Sequence, residues 1–190
     1  AITLYVAALA SGSKYLLRTQ RGHLFNPAAL ALLISIPLFS TGQSWWGAGG
    51  DLPTVFLALL LAGGALIVDR INKFPLVLSF LFVYFGLFAA LGFAAPTSVA
   101  EMFRAPFVQA ALFLALFMLT DPPTSPSRYG EQIWIGGLAA AVACAAQLLG
   151  AGQAYLLFGV LAANGALALS RGLRTASARA AKTSLSASTQ

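Results

Sequence analysis

Charge is what this sequence has least of. Only 8% of its 190 residues are Asp, Glu, Lys or Arg, against about a quarter in an average soluble chain. With 59% of residues hydrophobic and a mean hydropathy of +0.83, too few polar side chains remain to coat a water-soluble globule, and the bilayer is the consistent solvent. A single cysteine excludes an intrachain disulfide and a four-cysteine zinc or iron–sulfur site held by this chain. A single histidine, His23, excludes bis-histidine haem ligation by the chain alone and leaves no Ser-His-Asp or Cys-His arrangement, so hydrolytic chemistry is not expected. Acidic residues number five against eleven basic ones. The basic residues are dispersed between apolar runs and form no interleaved basic and aromatic surface, so nucleic acid is excluded as a partner and the lipid bilayer is the expected one.

What is present is a series of apolar runs with short polar punctuation: Ala1–Ala10, Pro27–Phe39, Leu52–Val68, Pro75–Ala94, Pro106–Thr120, Gln132–Gly150 and Gln153–Ser170. These predict an all-α integral membrane protein of about seven transmembrane segments. Residues 1–174 form its polytopic domain, and residues 175–190, without apolar periodicity, a disordered tail. A span needs about 17 to 25 residues, which the third, fourth, sixth and seventh runs supply. The first run opens without an initiator methionine or basic flank, as though further helices preceded it. If all seven runs cross, alternate connections collect ten of the eleven basic residues: Lys14, Arg18 and Arg21; Arg70 and Lys73; Arg128; and Arg171, Arg174, Arg179 and Lys182. Only Arg104 lies on the other side. The positive-inside rule then places the C-terminus in the cytoplasm. Trp45 and Trp46, in a glycine-rich outer turn, suit the headgroup zone.

Two runs are short and bounded by Asx-Pro steps. Asn26 precedes Pro27, so its side-chain oxygen can cap a helix whose first position tolerates proline. Pro27–Phe39 spans about 20 Å at 1.5 Å per residue. Pro106–Thr120, about 22 Å by the same rise, stops at Asp121-Pro122-Pro123 because proline cannot continue helical bonding. Short, proline-interrupted helices in a membrane protein point to a central site, since their free backbone groups need protein, water or ligand partners. Asn26, Asp121 and Asn164, the last in the middle of the final run, are the polar groups exposed to that demand. Asn164 serves either as interhelical glue or as a ligand contact. Asp121, with Thr120, Thr124, Ser125, Ser127 and Arg128 around it, offers donors, acceptors and both charges to a polar ring or a cation; the alternative is an Asp121–Arg128 clasp within the loop. His23 reads as a solvated loop residue, and Cys144 as a small buried hydrophobe.

Phe25-Asn26-Pro27-Ala28 and Phe117-Met118-Leu119-Thr120-Asp121-Pro122 resemble the F-N-P-A and F-x-x-T-D-P motifs of the NqrB/RnfD family, and the likeness continues to Leu161-Ala162-Ala163-Asn164. These are flavin-carrying membrane subunits of the sodium-pumping NADH:quinone oxidoreductase and the Rnf complex. The resemblance implies a ten-helix, two-repeat bundle resembling ammonium and urea transporters, of which this chain would be the C-terminal part, in a bacterial inner membrane. It implies a redox subunit, not a complete enzyme, that relays electrons between other redox subunits or a soluble flavin or iron–sulfur reductase. Its cofactor would be riboflavin or FMN, bound non-covalently. By residue matching Asn26, Thr120 and Asp121 would hold it, with Thr124, Arg128 and Asn164 adding polar groups and Phe25 and Phe117 apolar walls. The outer S-G-A-T-like motif that carries covalent FMN in relatives is missing, so covalent FMN is not expected, and a shortened UnbU-like branch lacks it too. The rival readings are a permease or channel for a small polar solute or cation, suggested by the broken helices, and a membrane anchor for soluble redox partners.

Overall fold

The computed structural model describes residues 2–19, 22–39, 53–94 and 99–188. Helix α1 (Ile2–Leu16) leads into a two-residue antiparallel hairpin, β1 (Arg18–Thr19) and β2 (Gly22–His23), in which Arg18 faces His23. Then come α2 (Pro27–Phe39), α3 (Thr54–Arg70), α4 (Phe74–Ala94), a 3₁₀ turn (Ala100–Phe103) and α5 (Phe107–Phe113). The chain continues through a π turn (Leu114–Met118), α6 (Tyr129–Leu148), a second 3₁₀ turn (Gly152–Ala154) and α7 (Tyr155–Ser188). The Trp45–Trp46 turn lies outside the described residues.

The helices follow the apolar runs, but their lengths divide them. Among the described residues three are long and apolar enough to cross a membrane: α4, α6 and the Tyr155–Ser177 part of α7. α2 and the combined Phe107–Met118 segment are apolar but shorter, and α3 has 17 residues with Asp69 and Arg70 at its end. Among the described residues the seven expected spans thus resolve into three helices of membrane-crossing length and apolarity and several shorter ones. The uninterrupted helix expected over Pro106–Thr120 is instead α5 followed by a π turn, closed by the Leu119 N–H reaching back to the Leu114 carbonyl at 2.9 Å. The backbone of α7 continues to Ser188, past residue 174 where a disordered tail is expected. Its extension is rich in alanine, the strongest helix former, and holds no proline.

The chain reverses between α3 and α4 and after α6 through paired capping bonds that need a left-handed residue. Asn72 (φ 55°) and Gly150 (φ 83°) supply it. At the first, Asn72 N–H meets Asp69 O and Lys73 N–H meets Val68 O, both at 3.0 Å, so the last carbonyls of α3 are satisfied before the chain turns. This turn delivers Lys73 to the start of α4.

α6 packs between α4 and α7, and small residues set the spacing. A Cβ on Gly136 would lie 2.5 Å from the Leu76 carbonyl oxygen of α4, and one on Gly159 2.5 Å from the Ala139 carbonyl oxygen of α6. With no hydrophobic driving force between helices in lipid, such close backbone approach and its dispersion contacts are what hold them. Polar side chains reinforce the seam: Ser79 Oγ donates to Ile133 O at 2.6 Å, and the Tyr84 and Tyr155 hydroxyls meet at 2.5 Å. Gly136→Ala should therefore weaken the fold by about 1–3 kcal/mol through overpacking. Gly86→Ala, where an added Cβ meets nothing within 4 Å, should not. Unfolding titrations in detergent micelles compare the two.

Candidate functional site

The start of α2 and the end of the α5–π segment are joined by two amides. Asn26 caps α2 as its sequence predicts: Oδ1 accepts from the Ala29 N–H at 3.1 Å. Its Nδ2 donates to Met118 O at 3.1 Å, where the π turn ends, and its backbone N–H donates to Asn164 Oδ1 at 2.8 Å. Asn164, only 2% exposed in α7, donates its own Nδ2 to Thr124 O at 3.2 Å. The Thr120 hydroxyl donates to Leu116 O at 2.7 Å. Each heteroatom of these three buried side chains therefore has a protein partner, as burial requires.

Beyond Thr120 the chain cannot return to helix, because Pro122, Pro123 and Pro126 remove three N–H donors from one short loop. A turn starts it, with Thr124 N–H on Asp121 O at 3.1 Å. Four successive carbonyls are then taken up by side chains from elsewhere. Thr124 O accepts from Asn164 (3.2 Å) and Ser125 O from Arg171 Nη2 (2.9 Å). Pro126 O accepts from Lys73 Nζ, and Ser127 O from Gln132 Nε2 (3.3 Å), which also reaches Asn72 O at 3.1 Å. Lys73 is 7% exposed; burial, and secondarily the charge of Arg171, holds its ammonium below its usual pKa. Arg174 pairs with Glu131 nearby.

Asp121 Oδ2 accepts from Thr124 Oγ1 at 2.9 Å and lies 3.4 Å from His23 Nε2. These side chains are 24% and 20% exposed, so the pair stands at the open edge of an otherwise buried polar group. The hairpin is held close to the loop here, since a Cβ on Gly22 would sit 3.3 Å from Pro123 Cβ. The ring of Phe25 lies over Gly165, beside Asn164, with 3.6 Å from its Cε1 to a Cβ built there.

The structure thus brings together Asn26, Thr120, Asp121, Thr124, Asn164 and Phe25. Phe117 stacks on Phe113 within its own segment, ring centroids 5.1 Å apart. Arg128 stands exposed at the N-terminus of α6, its carbonyl accepting the Gln132 N–H at 2.9 Å. The Asp121–Arg128 clasp is not among the described ion pairs, and the carboxylate meets His23 and Thr124 instead. Four residues to which the sequence reading gives no site role belong to the same cluster: His23, Lys73, Gln132 and Arg171. Their only advance signal is their position beside apolar runs, which reads as membrane orientation.

Lys73 gives this cluster a pH dependence. The folded chain holds it below 10.5, so between the lowered value and 10.5 the unfolded chain binds more protons and stability rises with pH. That contribution is complete above the unfolded pKa and is lost as pH falls through the folded one. Lys73→Met should remove the alkaline rise. The unfolding free energy of the parent, measured relative to that of the variant, should increase from neutral to strongly alkaline pH; parallel curves would contradict the assignment.

The sequence pattern of the NQR2, RnfD, RnfE family matches residues 36–171. That stretch begins after Phe25-Asn26-Pro27-Ala28 and contains Thr120, Asp121, the proline loop and Asn164. A comparison with curated proteins gives no match. With well over half of its length matched, the chain belongs to the NQR2, RnfD, RnfE family, membrane subunits of NQR- and Rnf-type redox complexes.

Proposed function

We propose that this chain is a flavin-binding electron-transfer subunit of such a complex. It would sit in a bacterial inner membrane with the basic end of its helices and its C-terminus toward the cytoplasm. The observation that carries the reading is the meeting of both Asx-Pro helix breaks on Asn164, with the Asp121 carboxylate and an imidazole left at the open edge. The donor set suits a flat ring with carbonyl and N–H edges. A carboxylate accepts from a ring N–H, an imidazole can donate or accept, and Phe25 offers an apolar face.

A bound riboflavin or FMN, held non-covalently, would supply the redox chemistry. The protein's own work is to orient and to exclude water. Asn26, Thr120 and Asn164 form the frame, because their heteroatoms are committed to protein partners. The four-donor hold on residues 124–127 keeps Asp121 at a fixed place relative to that frame. The electron partners would be other redox subunits or a soluble flavin or iron–sulfur reductase.

Absorption spectra of the purified chain, reconstituted with riboflavin and with FMN, test this. Asp121→Ala should leave the bundle inserted, since helix burial does not depend on that side chain. It should weaken flavin binding about 10- to 150-fold, the equivalent of a charge-assisted hydrogen bond of roughly 1.5–3 kcal/mol. No flavin binding by the parent chain would overturn the reading. Asp121-dependent solute flux into proteoliposomes without bound flavin would mark a permease instead.

A further inference from the structure

The residues best placed by sequence to touch a ligand are the ones the structure shows already engaged. Asn26, Asn164 and Thr120 have a protein partner at each side-chain heteroatom. Among the polar side-chain atoms of this cluster, Gln132 Oε1 is buried without a hydrogen-bond partner, and at the open edge Asp121 Oδ1 and His23 Nδ1, both on partly exposed side chains, have no described partner. His23 ends the short hairpin that leads directly into Phe25 and Asn26, so its backbone is tied to the same frame. Its Nε2 is turned to Asp121 Oδ2 at 3.4 Å, and Thr124 holds that same oxygen at 2.9 Å. A carboxylate accepts and does not donate, so the imidazole hydrogen is favoured on Nε2. Nδ1 is then an acceptor in the neutral ring and a donor in the cation.

We infer that His23 is a ligand-contacting residue of this site, oriented by Asp121 and presenting Nδ1 to the polar edge of a flat heteroaromatic ring. The inference rests on the proposed flavin-type ligand and assigns to it a residue that no motif marks. Asp121 then has two tasks, one oxygen orienting the imidazole and the other facing the ligand. Thr124 keeps the two tasks apart by fixing Oδ2.

The chain has one histidine, so every imidazole resonance from ¹⁵N-histidine-labelled protein in nanodiscs belongs to this residue. Addition of riboflavin should move the Nδ1 resonance more than the Nε2 resonance. Asp121→Asn without ligand should chiefly move Nε2. His23→Leu should weaken riboflavin binding about two- to tenfold, the range for a neutral hydrogen bond at 1.4 kcal/mol per decade. His23→Gln, which keeps a donor and an acceptor, should recover part of that loss. Riboflavin that binds the parent chain without moving Nδ1 would overturn the role of His23 and leave the flavin reading standing. A parent chain that binds no riboflavin would overturn both. The titration of the parent chain needs no variant, so a misfolded His23→Leu does not protect the inference.

Discussion

An amide buried among apolar helices must satisfy both its donor and its acceptor inside the protein, because lipid offers neither. Asn164 does so by bridging. Its oxygen takes the Asn26 N–H, 138 residues away in sequence, and its nitrogen meets the Thr124 carbonyl. The two groups it satisfies belong to the two places where helices break. The N–H at the start of α2 and the carbonyl beyond the π turn would each be left unpaired in a low-dielectric interior, at a cost of about 1–3 kcal/mol apiece. One side chain thus stabilises both breaks and fixes their separation, and the rest of the polar cluster is arranged around it.

The proline loop is the second half of that solution. Three prolines guarantee that Thr120 and Asp121 stay outside regular helix, but they also leave carbonyls that no local N–H can reach. Side chains from α6, α7 and the α3–α4 turn answer these carbonyls one by one. Ionic donors serve two of them, which turns the cost of burying Lys73 into a hold on the loop. The result is a polar edge whose backbone is pinned while Asp121 and His23 remain partly open. A rigid frame with a small open polar edge is what a site needs to bind a flat ring in one orientation.

Local features of this design are readable from the sequence. The α2 cap at Asn26, its start at Pro27 and the stop before Asp121-Pro122-Pro123 follow from the geometry of neighbouring residues, and the helices track the apolar runs. Asn164 stands out because an amide in an apolar run demands a partner. The identity of that partner is not legible, since a backbone N–H or carbonyl looks the same at every position. For the same reason Lys73, Gln132 and Arg171 read as orientation signals or ordinary polar residues, although all three end on loop carbonyls. His23 and Asp121 are brought together only by the docking of the hairpin on the loop. The π turn has no local marker either; Leu116 within it packs so closely on α3 that a Cβ on Gly64 would lie 2.7 Å from its Cδ1, a contact no local sequence pattern announces.

The measurement closest to the centre of this account is the hydrogen exchange rate of the Asn26 backbone amide, followed by NMR in nanodiscs. The amide is held by Asn164 Oδ1 at 2.8 Å, so it should exchange slowly in the parent chain. In Asn164→Ala it should lose most of that protection, while amides within α4 keep theirs. Equal protection of the Asn26 amide in both proteins would contradict the claim that Asn164 joins the two helix breaks.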